Sequence, residues 1–69
     1  MKIVTDVAGK VWRIEVAVGS DLVADDVILI LESMKMEIPV QAPRAGRLAE
    51  LFVQVGEMLD EGALVARME

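Results

Sequence analysis

One amine dominates the chemistry open to this chain. Lys35 stands in Glu32-Ser33-Met34-Lys35-Met36-Glu37, between an apolar run, Val27-Ile28-Leu29-Ile30-Leu31, and a run that leads away, Met36-Glu37-Ile38-Pro39-Val40-Gln41. Both runs read as strands, so Met34-Lys35 becomes the junction of a tight hairpin with the lysine at its tip. Two-residue hairpin turns favour Asn-Gly, Asp-Gly or a glycine, which reach positive φ at little cost. Met-Lys offers none of that. A local rule broken inside a consistent pattern points to a functional site.

Other chemistries are poorly supplied. The chain has no His and no Cys, which removes the commonest general base, the thiol nucleophile, and disulfide, thiolate or imidazole staples. Its only side-chain hydroxyls of the serine/threonine type are Thr5, Ser20 and Ser33, none in a nucleophile-elbow context. The acidic pairs Asp25-Asp26 and Asp60-Glu61 fall at turn positions and read as solvated turn chemistry. No ligand-dense loop matches an oxygen-only calcium site. An independent enzyme is not expected. Lysine amines are protonated at pH 7 in all but about one molecule in a few thousand. Lys35 therefore reads as the target of another protein that deprotonates and modifies it. Met34 and Met36 flank it with polarizable, adaptable side chains suited to meeting partner surfaces.

The elements that must position this amine repeat. Shifting the first half by 37 positions lays Gly9 on Gly46, Val11 on Leu48, Ile14 on Leu51, Val16 on Val53, Val18 on Val55, Gly19 on Gly56 and Leu22 on Leu59 without a gap. Val27, Ile28 and Glu32 fall on Leu64, Val65 and Glu69. Strands are expected over Met1 to Asp6, Val11 to Val18, Val27 onward, Met36 to Gln41, Arg47 to Val55 and Leu64 to Met68, with turns at Ala8-Gly9-Lys10, Gly19-Ser20-Asp21, Asp25-Asp26, Gly56 and Asp60-Glu61-Gly62. Strict alternation puts Trp12 with Ile14, Val16 and Val18, so Trp12 is expected in the core or as a lid on the barrel end. The unbroken run from Val27 suggests a strand covered on both faces. Pro39 calls for a sheet edge. Two like half-sheets predict a pseudo-two-fold β-sandwich or flattened barrel, and the two-fold would put the hairpin and the chain termini at opposite ends.

Sixty-nine residues make a single domain, 1–69, with 55% hydrophobic residues and only one Trp, one Phe and no Tyr. Its core must be aliphatic. A net charge of −5 argues against nucleic-acid binding, which needs clustered Lys and Arg. No apolar run approaches the roughly 20 residues of a membrane span. No signal peptide is visible, so a cytoplasmic protein, monomeric as an isolated domain, is the expectation.

Those residues resemble a family. Glu32-Ser33-Met34-Lys35-Met36-Glu37, the duplicated Val-x-Val-Gly (Val16 to Gly19, Val53 to Gly56), Leu31-Glu32 before the motif and the Pro-x-x-Gly link (Pro43 to Gly46) are similar to the biotinyl/lipoyl carrier domains. The likeness covers essentially the whole chain and favours the biotinyl branch, which carries Met-Lys-Met at a hairpin tip where the lipoyl branch has Asp-Lys. The resemblance implies an all-β, flattened β-barrel or barrel-sandwich hybrid of two four-stranded antiparallel sheets with quasi-two-fold symmetry. It implies biotin joined to Lys35 by a biotin protein ligase, with Met34 and Met36 as flanking recognition residues. A biotin carboxylase and a carboxyltransferase would then be the partners, and the domain itself a non-catalytic carrier of activated CO2. Alternatives are a lipoyl carrier or dual biotin/lipoyl attachment protein, and an unmodified barrel-sandwich interaction module. The segment Gly19-Ser20-Asp21-Leu22 leaves no room for the protruding thumb of some bacterial carriers. The chain is most like the short free-standing attachment proteins or an excised carrier domain.

Overall fold

Eight strands and no helix form the computed structural model, which describes Met1–Glu69. They are β1 (Lys2–Val4), β2 (Gly9–Ile14), β3 (Asp21–Leu22), β4 (Val27–Ser33), β5 (Met36–Gln41), β6 (Gly46–Leu51), β7 (Met58–Leu59) and β8 (Leu64–Met68). Two four-stranded antiparallel sheets, ordered β1-β8-β6-β3 and β5-β4-β2-β7, close on each other as a flattened barrel-sandwich. No helix is long and apolar enough to cross a membrane.

The sequence repeat is repeated in the hydrogen bonds. Gly19 N–H donates to the Leu48 carbonyl and Gly56 N–H to the Val11 carbonyl, each at 2.8 Å. Asp25 N–H donates to Ala42 O and Gly62 N–H to Thr5 O, again 2.8 Å each. Every partner lies 37 positions from its counterpart. The short strand of each half joins the other half's sheet: β3 pairs with β6, and β7 with β2. Neither half can therefore complete a sheet alone. β2 begins beside the hairpin strand, where Lys10 faces Glu32. Its continuation reaches the far end, where Gly19 bonds Leu48 and Leu48 faces Met68. The hairpin and the termini thus occupy opposite ends of a body 30 × 17 × 17 Å in extent, as the repeat predicts.

Bulges explain where alternation misleads. Val11 pairs with Leu31 but Arg13 with Ile30, so Trp12 is an extra residue in β2. The matching bulge sits at Ala49, between the pairs Leu48–Met68 and Glu50–Arg67. An inserted residue reverses the inward phase. Val11 and Ile14 both turn toward the core, while Trp12 is 41% exposed with the Arg13 guanidinium 5.4 Å from its ring centre. Trp12 is thus neither core nor buried lid. Val18, placed on the same face by alternation, is also exposed, because β2 ends at Ile14.

A second duplicated bulge, at Ile28 and Val65, lets adjacent residues of one strand enter the core. Ile28, Leu29 and Leu31 are fully buried, as are Val65, Ala66 and Met68. The apolar run of β4 therefore reflects a bulge in a strand covered on one side; Val27 and Ile30 remain half-buried. Fourteen aliphatic residues form the core, and each fully buried Leu or Ile contributes about 1.5–3 kcal/mol of transfer free energy. The buried Thr5 hydroxyl is satisfied locally: it donates to the Val7 carbonyl at 2.8 Å and accepts from Val7 N–H at 3.2 Å.

Two other expectations shift. Ala8-Gly9-Lys10 is no turn; the chain bends at Asp6-Val7 and Gly9 already lies in β2. A Cβ at Gly9 would stand 3.0 Å from the Glu32 carbonyl oxygen, and one at its mate Gly46 2.8 Å from the Glu69 carbonyl oxygen. Glycine at both places permits the close approach of the neighbouring strand. Pro39 lies on β5, an outer strand, where a missing N–H is tolerated.

Candidate functional site

The ladder between β4 and β5 runs without slippage from Leu29–Val40 through Ile30–Pro39, Leu31–Ile38 and Glu32–Glu37 to Ser33–Met36. The last pair leaves two residues, Met34 and Lys35, to close the hairpin. Their φ angles are 52° and 64°, both in the left-handed region. Positive φ at both central positions is the primed turn whose twist matches that of the strands. The Met-Lys sequence thus makes the turn that Asn-Gly would make, at a cost of roughly 1–2 kcal/mol per residue. Local preference opposes this turn, and the long ladder holds it.

The consequence is presentation. Lys35 is exposed and enters neither of the chain's ion pairs, Arg13–Glu15 and Arg67–Glu50. Met34 is 92% exposed beside it. Met36 shares the inward-facing side of the ladder with Ile38 and Val40, but it lies past the end of the core and is 62% exposed. Met36 therefore contributes nothing to the core. The surface groove of the domain runs between β1 and β5, lined by Val4–Val7 and Ile38–Gln41, and Lys35 takes no part in it. The amine stands on a projecting tip rather than in a cleft.

Below the tip, a row of exposed side chains crosses the outer face of the sheet. Glu37 faces Glu32, Glu32 faces Lys10, and Lys10 faces Met58. Two carboxylates directly opposite one another repel. Met58 and Lys10 are the members of this row that the sequence reading did not single out. Only the pairing of β7 with β2 brings residue 58 to the hairpin end, and the 37-residue repeat carries no information on which strands pair. No group of three or more His, Cys, Asp or Glu residues converges as a metal site.

The structure thus presents one amine on a two-residue, positive-φ tip of an all-β body. The model of the family described as "Biotin-requiring enzyme", Biotin_lipoyl, matches residues 1–68, and the chain belongs to that family. It is 34% identical over 68 residues to the biotin/lipoyl attachment protein of Bacillus subtilis, covering 99% of this chain and 93% of that one. It is 39% identical over 61 residues to the biotinylated protein TB7.3 homolog of Mycobacterium leprae, covering 88% of this chain and 86% of that protein. Among solved structures, Kluyveromyces lactis urea carboxylase superposes with a TM-score of 0.91 at 32% identity, over 96% of this chain and 6% of that one. The fold thus recurs as a small part of a much larger carboxylase.

Proposed function

We propose that this domain is a biotin carboxyl carrier in which Lys35 is the attachment site. A biotin protein ligase joins the biotin carboxyl group to the Lys35 Nζ as an amide. The loaded arm then moves activated CO2 from a biotin carboxylase to a carboxyltransferase. The domain contributes reach and local concentration, and the ring of the cofactor contributes the chemistry. The presentation of Lys35 at a two-residue tip whose φ angles oppose its sequence carries this reading. Met34 and Met36, both exposed, serve as the flanking surface that a modifying enzyme grips. Similarity to a biotinylated protein and to carboxylases supports biotin as the group attached.

Lipoate is the second reading, favoured by the likeness to a relative described as a biotin/lipoyl attachment protein. Both readings use the same lysine. The test is incubation of the purified chain with a biotin protein ligase, ATP and labelled biotin. Label in the wild type and none in Lys35→Arg is the expected result. Label retained in Lys35→Arg refutes the assignment of the lysine.

A further inference from the structure

The internal repeat supplies its own comparison for the outer faces of the two sheets. On the first sheet Val4 faces Leu64, and Phe52, just past the end of β6, donates its N–H to the Val65 carbonyl at 2.8 Å. Ile3, Leu51, Val53 and Val65 beside them pack into the core, so Val4, Leu64 and Phe52 form one outward row across β1, β8 and β6. They are 48%, 38% and 44% exposed. The positions 37 residues away hold Gln41, Val27 and Glu15. The same pairings build that row on the second sheet: Val27 faces Gln41, and Glu15 N–H donates to the Ile28 carbonyl. Its one apolar member, Val27, is half-buried. The same backbone thus accepts Gln and Glu in one half where it exposes Val and Phe in the other. Folding does not require the apolar row.

The row lies toward the hairpin end, because Met68 closes β8 beside Leu48 at the terminus end and Leu64 opens it at the other. Val4 also lines the groove of about 210 Å³ whose second wall, Ile38–Gln41, belongs to the strand that leads from Lys35. Apolar surface therefore runs from the hairpin strand through the groove to Phe52. The other side of the body carries the charged row Glu37–Glu32–Lys10 below the tip. The end of the body is only 17 × 17 Å across. That is far less than the roughly 800 Å² each partner buries in a specific interface. An enzyme that takes Lys35 into its active site must therefore also cover a side of the body. We infer that Val4, Leu64, Phe52 and the β1–β5 groove are the surface on which the biotin protein ligase docks, an inference that rests on the carrier reading above. The matching face of the ligase is apolar. It brings a Lys or Arg to Asp6, which borders the groove and joins neither ion pair of the chain.

The test measures ligase kinetics on the full chain with ATP and biotin. Val4→Gln/Phe52→Glu copies onto the row the residues that the repeat places at its mates. Its KM as ligase substrate is expected to rise roughly tenfold, the scale of losing one interface anchor. Its kcat is expected to hold, because contacts remote from the amine bind ground state and transition state alike. Phe52→Leu, which keeps the row apolar, and Glu15→Gln, on the mate row, are expected to load like the wild type. A second measurement needs no change in the row, and it decides the matter if the double variant does not fold. Amide hydrogen exchange is followed in Lys35→Arg, which takes no biotin, with and without the ligase. Slower exchange is expected at Val4–Val7 and around Phe52 and Leu64 as well as at the hairpin, and not around Glu15. An unchanged KM in the double variant, a fall in kcat alone, an equal rise in Glu15→Gln, or protection confined to the hairpin each overturns the proposal. So does protection of the row by rising concentration of the chain alone, which would assign it to a second copy. A wild type left unmodified at every ligase concentration removes the carrier reading and this inference with it, a result distinct from the others.

Discussion

Ser33 faces Met36 as the last rung of the β4–β5 ladder, and that pairing alone sets Lys35 at the second position of a two-residue turn. Shift the register by one residue and the two-residue turn with Lys35 at its second position is lost. Every side chain of β5 would also exchange its face, exposing Val40 and burying Glu37. The alternating burial of β5 therefore fixes the position of the amine from a distance.

The strain in that turn is measurable. Replacing Met34 by Asn and Lys35 by Gly supplies the residues that a primed turn favours. The double variant is expected to be more stable by about 1–2 kcal/mol, less than the summed strain of the two residues because glycine loses more backbone entropy on folding, with an increase in midpoint of roughly 4–8 °C per kcal/mol in a domain of this size. Thermal unfolding followed by circular dichroism checks it. A lowered midpoint would show that the native tip makes favourable contacts the backbone angles do not reveal.

The bulge at Trp12 predicts an inversion of the usual ranking of aromatic and aliphatic truncations. Leu31→Ala removes a fully buried side chain, and its expected cost is about 2–5 kcal/mol, enough to unfold most of a marginal domain. Trp12→Ala removes a larger side chain that is 41% exposed, and its cost is expected to be smaller. Urea titration of the two variants decides. A larger loss for Trp12→Ala would mean that the bulge does not turn the indole outward.

Glu32 and Glu37 face each other directly, without an ion pair to either. Glu37→Lys converts repulsion to attraction and is expected to stabilise the hairpin by about 0.2–1 kcal/mol. Both groups are exposed, so the gain should shrink as salt is raised from low concentration to about 1 M, where the screening length is roughly 3 Å. An effect insensitive to salt would point to a cause other than charge.

Much of this arrangement was legible beforehand because its signals are local or periodic. The edge position of Pro39 follows from its missing N–H, and the duplicated turns follow from the spacing of Gly19 and Gly56. β8 spans Leu64–Met68 as its residue pattern predicts. Trp12 is misplaced because it lies at a bulge, where one inserted residue reverses the inward phase, and Val18 because β2 ends before it. Trp12 could not be oriented by alternation, because alternation contains no term for an unpaired residue. Yet the three-residue spacing of Val11 and Ile14, matched by Leu48 and Leu51, already carried that signal. The site divides in the same way. Lys35 and its methionines are adjacent in the chain, whereas Met58 reaches the hairpin end only through strand pairing.

The central claim is that Lys35 is the one residue modified and that the group it carries is biotin. The most direct measurement is the intact mass of the chain after exposure to active biotin and lipoate ligases with both cofactors, beside Lys35→Arg treated identically. The account predicts a single biotinyl adduct on the wild type and an unmodified variant that unfolds at nearly the same temperature. A lipoyl adduct, an adduct that survives in Lys35→Arg, or an unmodified wild type would contradict it.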